Sequence, residues 1–251
     1  MKGGLNMIYN VIRPRKKATP ISDIDVGSSV YCKVDGVRTE FLIVQKGNPD
    51  TSIYDSSCDG IWLLAKDCFA AMKFEYEYSY VPFWKDNRGT YINPVYVWMN
   101  GDFYNSIDIK NIIKSIKIPY ITSKYDTSVY QLPCTCFLLG ALELGLGNAV
   151  ATVETESGHL LQYFKNWTSE GNFGYQEQKQ LRIANYGNET NVRWFTRDDY
   201  LLTGSIEGVI VVNPLSTDDY TILGRTGEAY VRPCFIVPSD TKIDASGNIL
   251  V

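Results

Sequence analysis

Asn191-Val192-Arg193-Trp194-Phe195-Thr196-Arg197-Asp198-Asp199 and Tyr230-Val231-Arg232-Pro233-Cys234-Phe235-Ile236-Val237-Pro238 decide the fold. Each sets an arginine beside an aromatic or aliphatic run, so a guanidinium has to be at least partly buried. Pro233 holds Arg232 in β or polyproline geometry, because a proline ring disfavours the α region for the residue before it. Between the two stretches, Ser205 to Leu223 reads as two short strands joined by the polar turn Asn213-Pro214-Leu215-Ser216-Thr217-Asp218-Asp219. The unit is a β-meander. Trp194, Arg197, Arg232 and Phe235 are its expected structural residues, with Arg232 hydrogen-bonding loop carbonyls or a carboxylate.

Outward from the meander the signals are mixed α and β. Ser29 to Val34 and Thr39 to Gln45 read as strands, and Asp35-Gly36 is a strong hairpin turn. Ile61 to Leu64 starts another strand. Cys68, Phe69 and Met72 repeat at helical spacing, which predicts a helix over 66–74. Residues 74–94 are aromatic and aperiodic, a long loop. Tyr96 to Phe103 reads as an amphipathic turn or short helix. Ser106 to Ile116 is the best helix pattern, with Ser106 as cap and Ile109, Ile112, Ile113 and Ile116 in one stripe. Leu132 to Gly140 reads as a buried strand. Val150 to Tyr175 is a polar insertion with Tyr163, Phe164, Trp167, Phe173 and Tyr175 as an exposed aromatic set. Residues 1–20 read as an extended arm whose Arg13, Arg15, Lys16 and Lys17 would meet carboxylates of a neighbouring subunit. Residues 21–251 read as a single domain.

Composition narrows the function classes. The 251 residues include 18 tyrosines, which favours β-structure and contact surface. The net charge of −4 offers no general basic face for nucleic acid. No run of about 18 apolar residues spans a membrane. The first residues lack the apolar block of a secretory signal, so folding in a cytoplasm is expected. Cys32, Cys58, Cys68, Cys134, Cys136 and Cys234 form no Cys-x-x-Cys pair, and His159 is the single histidine. That argues for reduced core thiols and against a zinc site or any other metal or cofactor.

Several ordered segments carry a resemblance over about residues 21–241. They are Val26 to Val30, Glu40 to Val44, Ser52 to Leu64, Ile116 to Tyr120, Arg182-Ile183-Ala184-Asn185, the Trp194 segment and Tyr230 to Pro238. In these the chain resembles a family of C-type-lectin-fold domains common in phages and prophages of gut Firmicutes. The resemblance implies an α+β fold of C-type-lectin type: twisted antiparallel sheets, about two helices, and chain ends close together. In architecture it is similar to retroelement-diversified receptor-binding proteins of the major tropism determinant type and to the formylglycine-generating-enzyme fold. The family reads Trp-Leu-Arg-Ser-Pro where this chain has Trp194-Phe195-Thr196-Arg197-Asp198. The arginine moves by one position, a shift that on a regular strand flips a side chain to the other face.

The expected function is that of a non-enzymatic phage virion protein: a tail fibre, baseplate or capsid-decorating domain for receptor binding and host attachment. Its partners would be other virion proteins, or a host-surface glycan or protein, and it would be a homo-oligomer in a particle assembled in the host cytoplasm. Asp198, Asp199, Tyr200, Asn213, Ser216, Asp218, Asp219 and Tyr220 fall in two turns read as one end of the meander, an adaptable contact surface. Trp167, Phe173 and Tyr175 would add apolar or sugar-stacking area. The alternatives are a calcium-dependent carbohydrate-binding lectin, using Glu189 and the four aspartates, and an enzyme of formylglycine-generating-enzyme-like fold.

Overall fold

The computed structural model describes residues 18–74, 93–123, 126–146, 158–165, 179–201, 207–216, 219–224 and 226–251. The basic arm residues Arg13, Arg15, Lys16 and Lys17 lie outside them, as do Trp167, Phe173, Tyr175 and Asp218. The strands are β1 (Thr19–Pro20), β2 (Ser29–Val34), β3 (Val37–Lys46), β4 (Ile61–Ala65), β5 (Ala70–Lys73), β6 (Ile116–Ser123), β7 (Asp126–Cys134), β8 (Cys136–Phe137), β9 (Trp194–Leu201), β10 (Glu207–Val212), β11 (Tyr220–Gly224), β12 (Glu228–Val231), β13 (Cys234–Val237), β14 (Lys242–Ile243) and β15 (Ile249–Leu250). The helices are α1 (Pro94–Trp98), α2 (Tyr104–Ser106) and α3 (Gln162–Lys165). The architecture is β-rich α+β.

Two five-stranded sheets carry the fold, ordered β2-β3-β4-β13-β8 and β11-β10-β9-β12-β5. β6 pairs with β7, and β1, β14 and β15 form a small third sheet that sets Thr19 against Ile243. Two runs cross between the large sheets, β4 into β5 and β12 into β13 through Arg232-Pro233. They pair with each other on both sides of the crossing, from Val237↔Ile61 to Glu228↔Lys73. β12 also runs parallel to β9, joined at Tyr230↔Trp194. Buried side chains from Ile21 to Ile249 form one cluster, with Trp62 between Tyr54 and Phe137 and Phe41 against Phe235.

The hairpin reading of the Asp35-Gly36 pair holds. Both residues have positive φ, 50° and 78°, as a two-residue turn matched to strand twist requires. Other elements differ from the sequence pattern. The helix lies earlier than the isoleucine stripe suggests. Asn93 caps α1, its side chain accepting from Tyr96 N at 3.0 Å, and the chain continues through a π-helical turn, Met99–Phe103, into α2. Ser106 ends this helix, and its hydroxyl donates to Phe103 O. Beyond it, Val34 bridges Ile107 and Asp108 N donates to Lys33 O, so this backbone closes the outer edge of β2. Ile109, Ile113 and Ile116 are buried from extended or 3-10 backbone, which suits β-branched side chains. Within 66–74 the predicted helix is likewise replaced by strand β5 at Ala70–Lys73, because a short apolar run has no decisive period and β12 offers a ladder.

The strand read at 132–140 is interrupted at Thr135. Asn100, in the π turn, takes the place of a neighbouring strand. Its Oδ1 accepts from Thr135 N (2.7 Å) and Cys136 N (3.1 Å), and its Nδ2 donates to Cys136 O (3.0 Å). Phe164 is 1% exposed and Tyr163 is half-buried, so neither belongs to an exposed aromatic set. No helix among the described residues is long and apolar enough to cross a membrane.

Candidate functional site

The polar chemistry of this chain is concentrated inside it. On β9 the pairing jumps from Phe195↔Val211 to Asp199↔Val209, which leaves residues 196–198 opposite Ile210 alone. The bulge at 196–198 leaves Thr196 Oγ1 donating to Ile210 O at 2.8 Å and Arg197 N donating to Leu139 O. Both faces of β9 are buried at this point, so the one-residue shift relative to the Trp-Leu-Arg pattern does not put this arginine on the surface. Arg197 is 4% exposed and grips Glu143, which is fully buried, with Nη1 to Oε2 at 2.5 Å and Nη2 to Oε1 at 2.8 Å. Nε donates to Pro119 O. Tyr54 Oη donates to Glu143 Oε1 at 2.6 Å and accepts from His159 N, and Gly140 N donates to Oε2. Burial works against the guanidinium charge, but Glu143 holds its pKa well above the usual value. Burial and the same carboxylate push the Tyr54 phenol up. Gly140 has to be glycine here, since a Cβ would stand 3.0 Å from Arg197 Cζ.

A second network lies below the meander. Arg182, 3% exposed, donates from Nη2 to Asp219 Oδ2 at 2.7 Å and from Nη1 to Leu144 O at 2.9 Å. Lys179 Nζ donates to Ser216 O at 2.6 Å and lies 3.3 Å from Asp219 Oδ1, an ion-pair distance without hydrogen-bond alignment. Asp219 holds a left-handed φ of 60° in the β10–β11 turn, and its carboxylate ties that turn to the 179–182 segment. The Arg182 carbonyl in turn accepts from Trp194 Nε1 at 3.0 Å and from Arg232 Nη1 at 3.5 Å. Arg232 also donates from Nε to Ala65 O and stacks its guanidinium 4.9 Å from the Trp194 ring. It forms no carboxylate ion pair among the described residues. Burial lowers its pKa.

Over this frame opens a groove of about 590 Å³, lined by Glu189 to Arg193, Asn213, Leu215 and Glu228 to Tyr230. β9 and β12 pair at a single position beside it, and Asn213 and Leu215 form its far wall. Leu215 is 76% exposed, and Arg193, Glu189 and Glu228 are exposed. Tyr230 packs its ring 4.7 Å from Tyr186, and its hydroxyl donates to Glu189 Oε2 at 2.9 Å. That hydrogen bond raises the Tyr230 pKa. Tyr186↔Glu189 closes the short turn that presents Thr190 and Asn191, and Asn191 takes a φ of 55° that asparagine tolerates.

The structure separates the turn residues that the sequence seemed to gather. Asp199 and Tyr200 pair with Val209 and Gly208, whereas Asn213 and Tyr220 adjoin Val212, at the other end of β10. Three to four residues of strand, about 10–13 Å, lie between the two groups. Asp198 is 8% exposed and accepts from Ala141 N at 2.5 Å; Asp219 is 2% exposed. Both carboxylates are buried as acceptors rather than offered to a ligand, which also removes them from a calcium set. Tyr220 is half-buried against the core. Of the predicted contact residues, Asn213 lines the groove and Ser216 supplies its carbonyl to Lys179. Trp194, Arg197, Arg232 and Phe235 are all buried.

The groove residues Glu189, Arg193, Leu215, Glu228 and Tyr230 carry no local motif. Glu143, Tyr54, Lys179 and Arg182 were equally invisible as partners, because their contacts are dozens of residues away in sequence. Every cysteine is a buried free thiol, and burial pushes Cys32, Cys58, Cys68 and Cys136 up to about 12. His159 sits at the surface between Asp50 Oδ2 (3.6 Å) and Lys165 Nζ (2.8 Å). Among the described residues no three His, Cys, Asp or Glu converge as a metal site.

No curated protein and no solved structure matches the chain. A family model described as "Domain of unknown function (DUF6273)" matches residues 59–239, from the start of β4 past the end of β13, and the chain belongs to that family.

Proposed function

We propose that this chain is a non-catalytic structural protein of a phage particle, and that its C-type-lectin-like scaffold presents the groove at the head of β9 and β12 to a partner. The observation that carries this reading is the division of labour among polar groups. The Arg197–Glu143–Tyr54 and Arg182–Asp219 networks are sealed in the interior, where they hold the scaffold. The groove is open, mixed in polarity and rimmed by an exposed Leu215, which suits contact with another molecule rather than an enclosed reaction. The thiols, buried and with raised pKa values, lack the electropositive, accessible setting of reactive cysteines. The pairing of β1 with β14 supports the lectin-type reading, since it brings the two ends of the described fold together. The phage context rests on the family resemblance of the ordered segments.

The test is a pair of surface changes, Leu215→Ala and Glu228→Ala, in a particle whose own copy has been replaced. Both side chains are exposed, so the thermal transition should stay within about 2 °C of wild type. Incorporation into particles or adsorption to host cells should fall several-fold. Unchanged incorporation and adsorption for the double variant would remove the groove from consideration.

A further inference from the structure

We propose that the groove takes the basic N-terminal segment of a neighbouring copy, setting Arg13, Arg15, Lys16 and Lys17 against Glu189 and Glu228. This rests on the reading of the groove as a partner surface, and names the partner.

Charge is divided unevenly along the chain. The first 17 residues hold five of the 24 lysines and arginines and none of the 28 aspartates and glutamates, so they carry +5 and the remaining residues −9. A chain split in this way is complementary to itself. The groove is where that complementarity finds shape. Its lining has two exposed carboxylates, Glu189 and Glu228, and one cation, Arg193, a net charge of −1. The Tyr230 ring, fixed against Tyr186, gives an aromatic face beside both carboxylates, on which a guanidinium or ammonium can rest. Because Arg193 repels the segment, the basic side chains have to follow the Glu189–Tyr230–Glu228 side. The far wall is already locked by Asp219 with Arg182 and Lys179, so docking orders only the incoming segment.

Reach favours a neighbour over the same chain. The four basic residues precede Ala18 by one to five positions, and five extended residues span at most about 17 Å. The segment joins the fold at β1, beside Ile243 and past the end of β13. The groove opens at the start of β12, at the opposite end of the paired run formed by β4–β5 and β12–β13. That run is ten residues from Glu228 to Val237, up to about 30 Å along the chain as it crosses between the sheets. A segment given by one copy to the next makes a head-to-tail contact, which builds rings or open chains.

The experiment uses the full chain and trypsin, which cuts after the arm's own lysines and arginines. At low salt and tens of micromolar protein, cleavage before Ala18 should be slowed at least fivefold relative to Glu189→Lys/Glu228→Lys. About 1 M salt or hundredfold dilution should abolish the protection. Sedimentation should show assemblies for wild type, monomer for the groove reversal, and assemblies again when that reversal is combined with Arg13→Glu, Arg15→Glu, Lys16→Glu and Lys17→Glu. Glu189→Gln/Glu228→Gln, the milder pair, should give an intermediate loss, and circular dichroism checks that each variant folds. Equal cleavage rates in wild type and groove variants overturn the proposal, and protection that survives dilution overturns the neighbour as donor. Groove variants that lose particle incorporation while the arm stays protected leave the groove as a partner surface and overturn this partner.

Discussion

Arg197 and Arg232 are both sealed from water, yet they do different work. Arg197 is held by a bidentate carboxylate and two main-chain carbonyls. Replacing it with methionine leaves Glu143 charged and dry, so Arg197→Met should cost about 3–5 kcal/mol. Arg232 has carbonyls and the Trp194 face instead, and already bears an uncompensated desolvation cost. Arg232→Met keeps most of the packing and should cost about 1–2 kcal/mol. Urea denaturation of the two variants measures the order, and equal losses would contradict it. Asp219 gives a third prediction. Asparagine tolerates its left-handed backbone but cannot be an ionic partner to Arg182 and Lys179. Asp219→Asn should cost about 2–3 kcal/mol and speed amide exchange across 213–216, while leaving the 61–65 amides protected. At this scale the need for buried arginines was legible in sequence, because an arginine inside an aromatic run has nowhere else to go. Which carboxylates answer them was not. Asp198 and Asp219 each sit in an Asp-Asp pair that reads as solvated, and only the approach of Ala141 and Arg182 from distant segments shows otherwise.

Among elements, the instructive unit is the π turn and the short strand beside it. β8 is two residues long, and one of its edges is paired by the side chain of Asn100 rather than by a strand. Asn100→Leu keeps the volume near constant but strands Thr135 N, Cys136 N and Cys136 O inside the protein. It should cost about 3 kcal/mol or more, with the Cys136 amide becoming one of the fastest to exchange in its sheet, which deuterium exchange would read directly. A variant as stable as wild type would mean that this edge has another partner. The Asp35-Gly36 hairpin was readable because its turn chemistry is local. The isoleucine stripe over 106–116 was misleading for the complementary reason: Ile109, Ile113 and Ile116 are buried and Ile112 half-buried, but β2 takes the backbone at 106–108 as a cover for its edge. The bulge in β9 is a third case: Trp194, Phe195, Thr196, Arg197 and Asp198 are all buried, so the strand offers no solvent face to which a shifted arginine could turn.

For the molecule as a whole, the six thiols make a prediction about pH. Cys32, Cys58, Cys68 and Cys136 are pushed up to about 12 by burial, and burial raises Cys134 and Cys234 well above the usual value too. An unfolded cysteine ionises near 8.5, so above that pH the unfolded chain releases protons that the fold retains. The thiol contribution to stability is therefore complete below about pH 8.5 and declines as pH rises towards 12. The melting temperature should be flat from pH 7 to 8.5 and fall steeply above 9, with a shallower fall in a Cys32→Ala/Cys136→Ala variant. At pH 8 a thiol reagent should label none of the six until denaturant is added. Rapid labelling of two or more in the native protein would contradict their burial.

By itself the sequence determined the β-rich α+β character, the β9–β10–β11 part of the meander, the hairpin at Asp35-Gly36 and the burial of Trp194, Arg197, Arg232 and Phe235. Those follow from local rules, namely turn residues, alternation and the impossibility of solvating an arginine inside a hydrophobic strand. The last strand of the expected meander, β12, instead returns beside β9 and runs parallel to it. Only the tertiary structure decided where the polar chemistry ended up. A bulge at 196–198, a carboxylate 54 positions from Arg197, and the single pairing between β9 and β12 are products of contacts between distant segments. Those contacts sank Asp198 and Asp219, put the two polar groups at opposite ends of β10, and left a groove at Glu189, Arg193 and Tyr230.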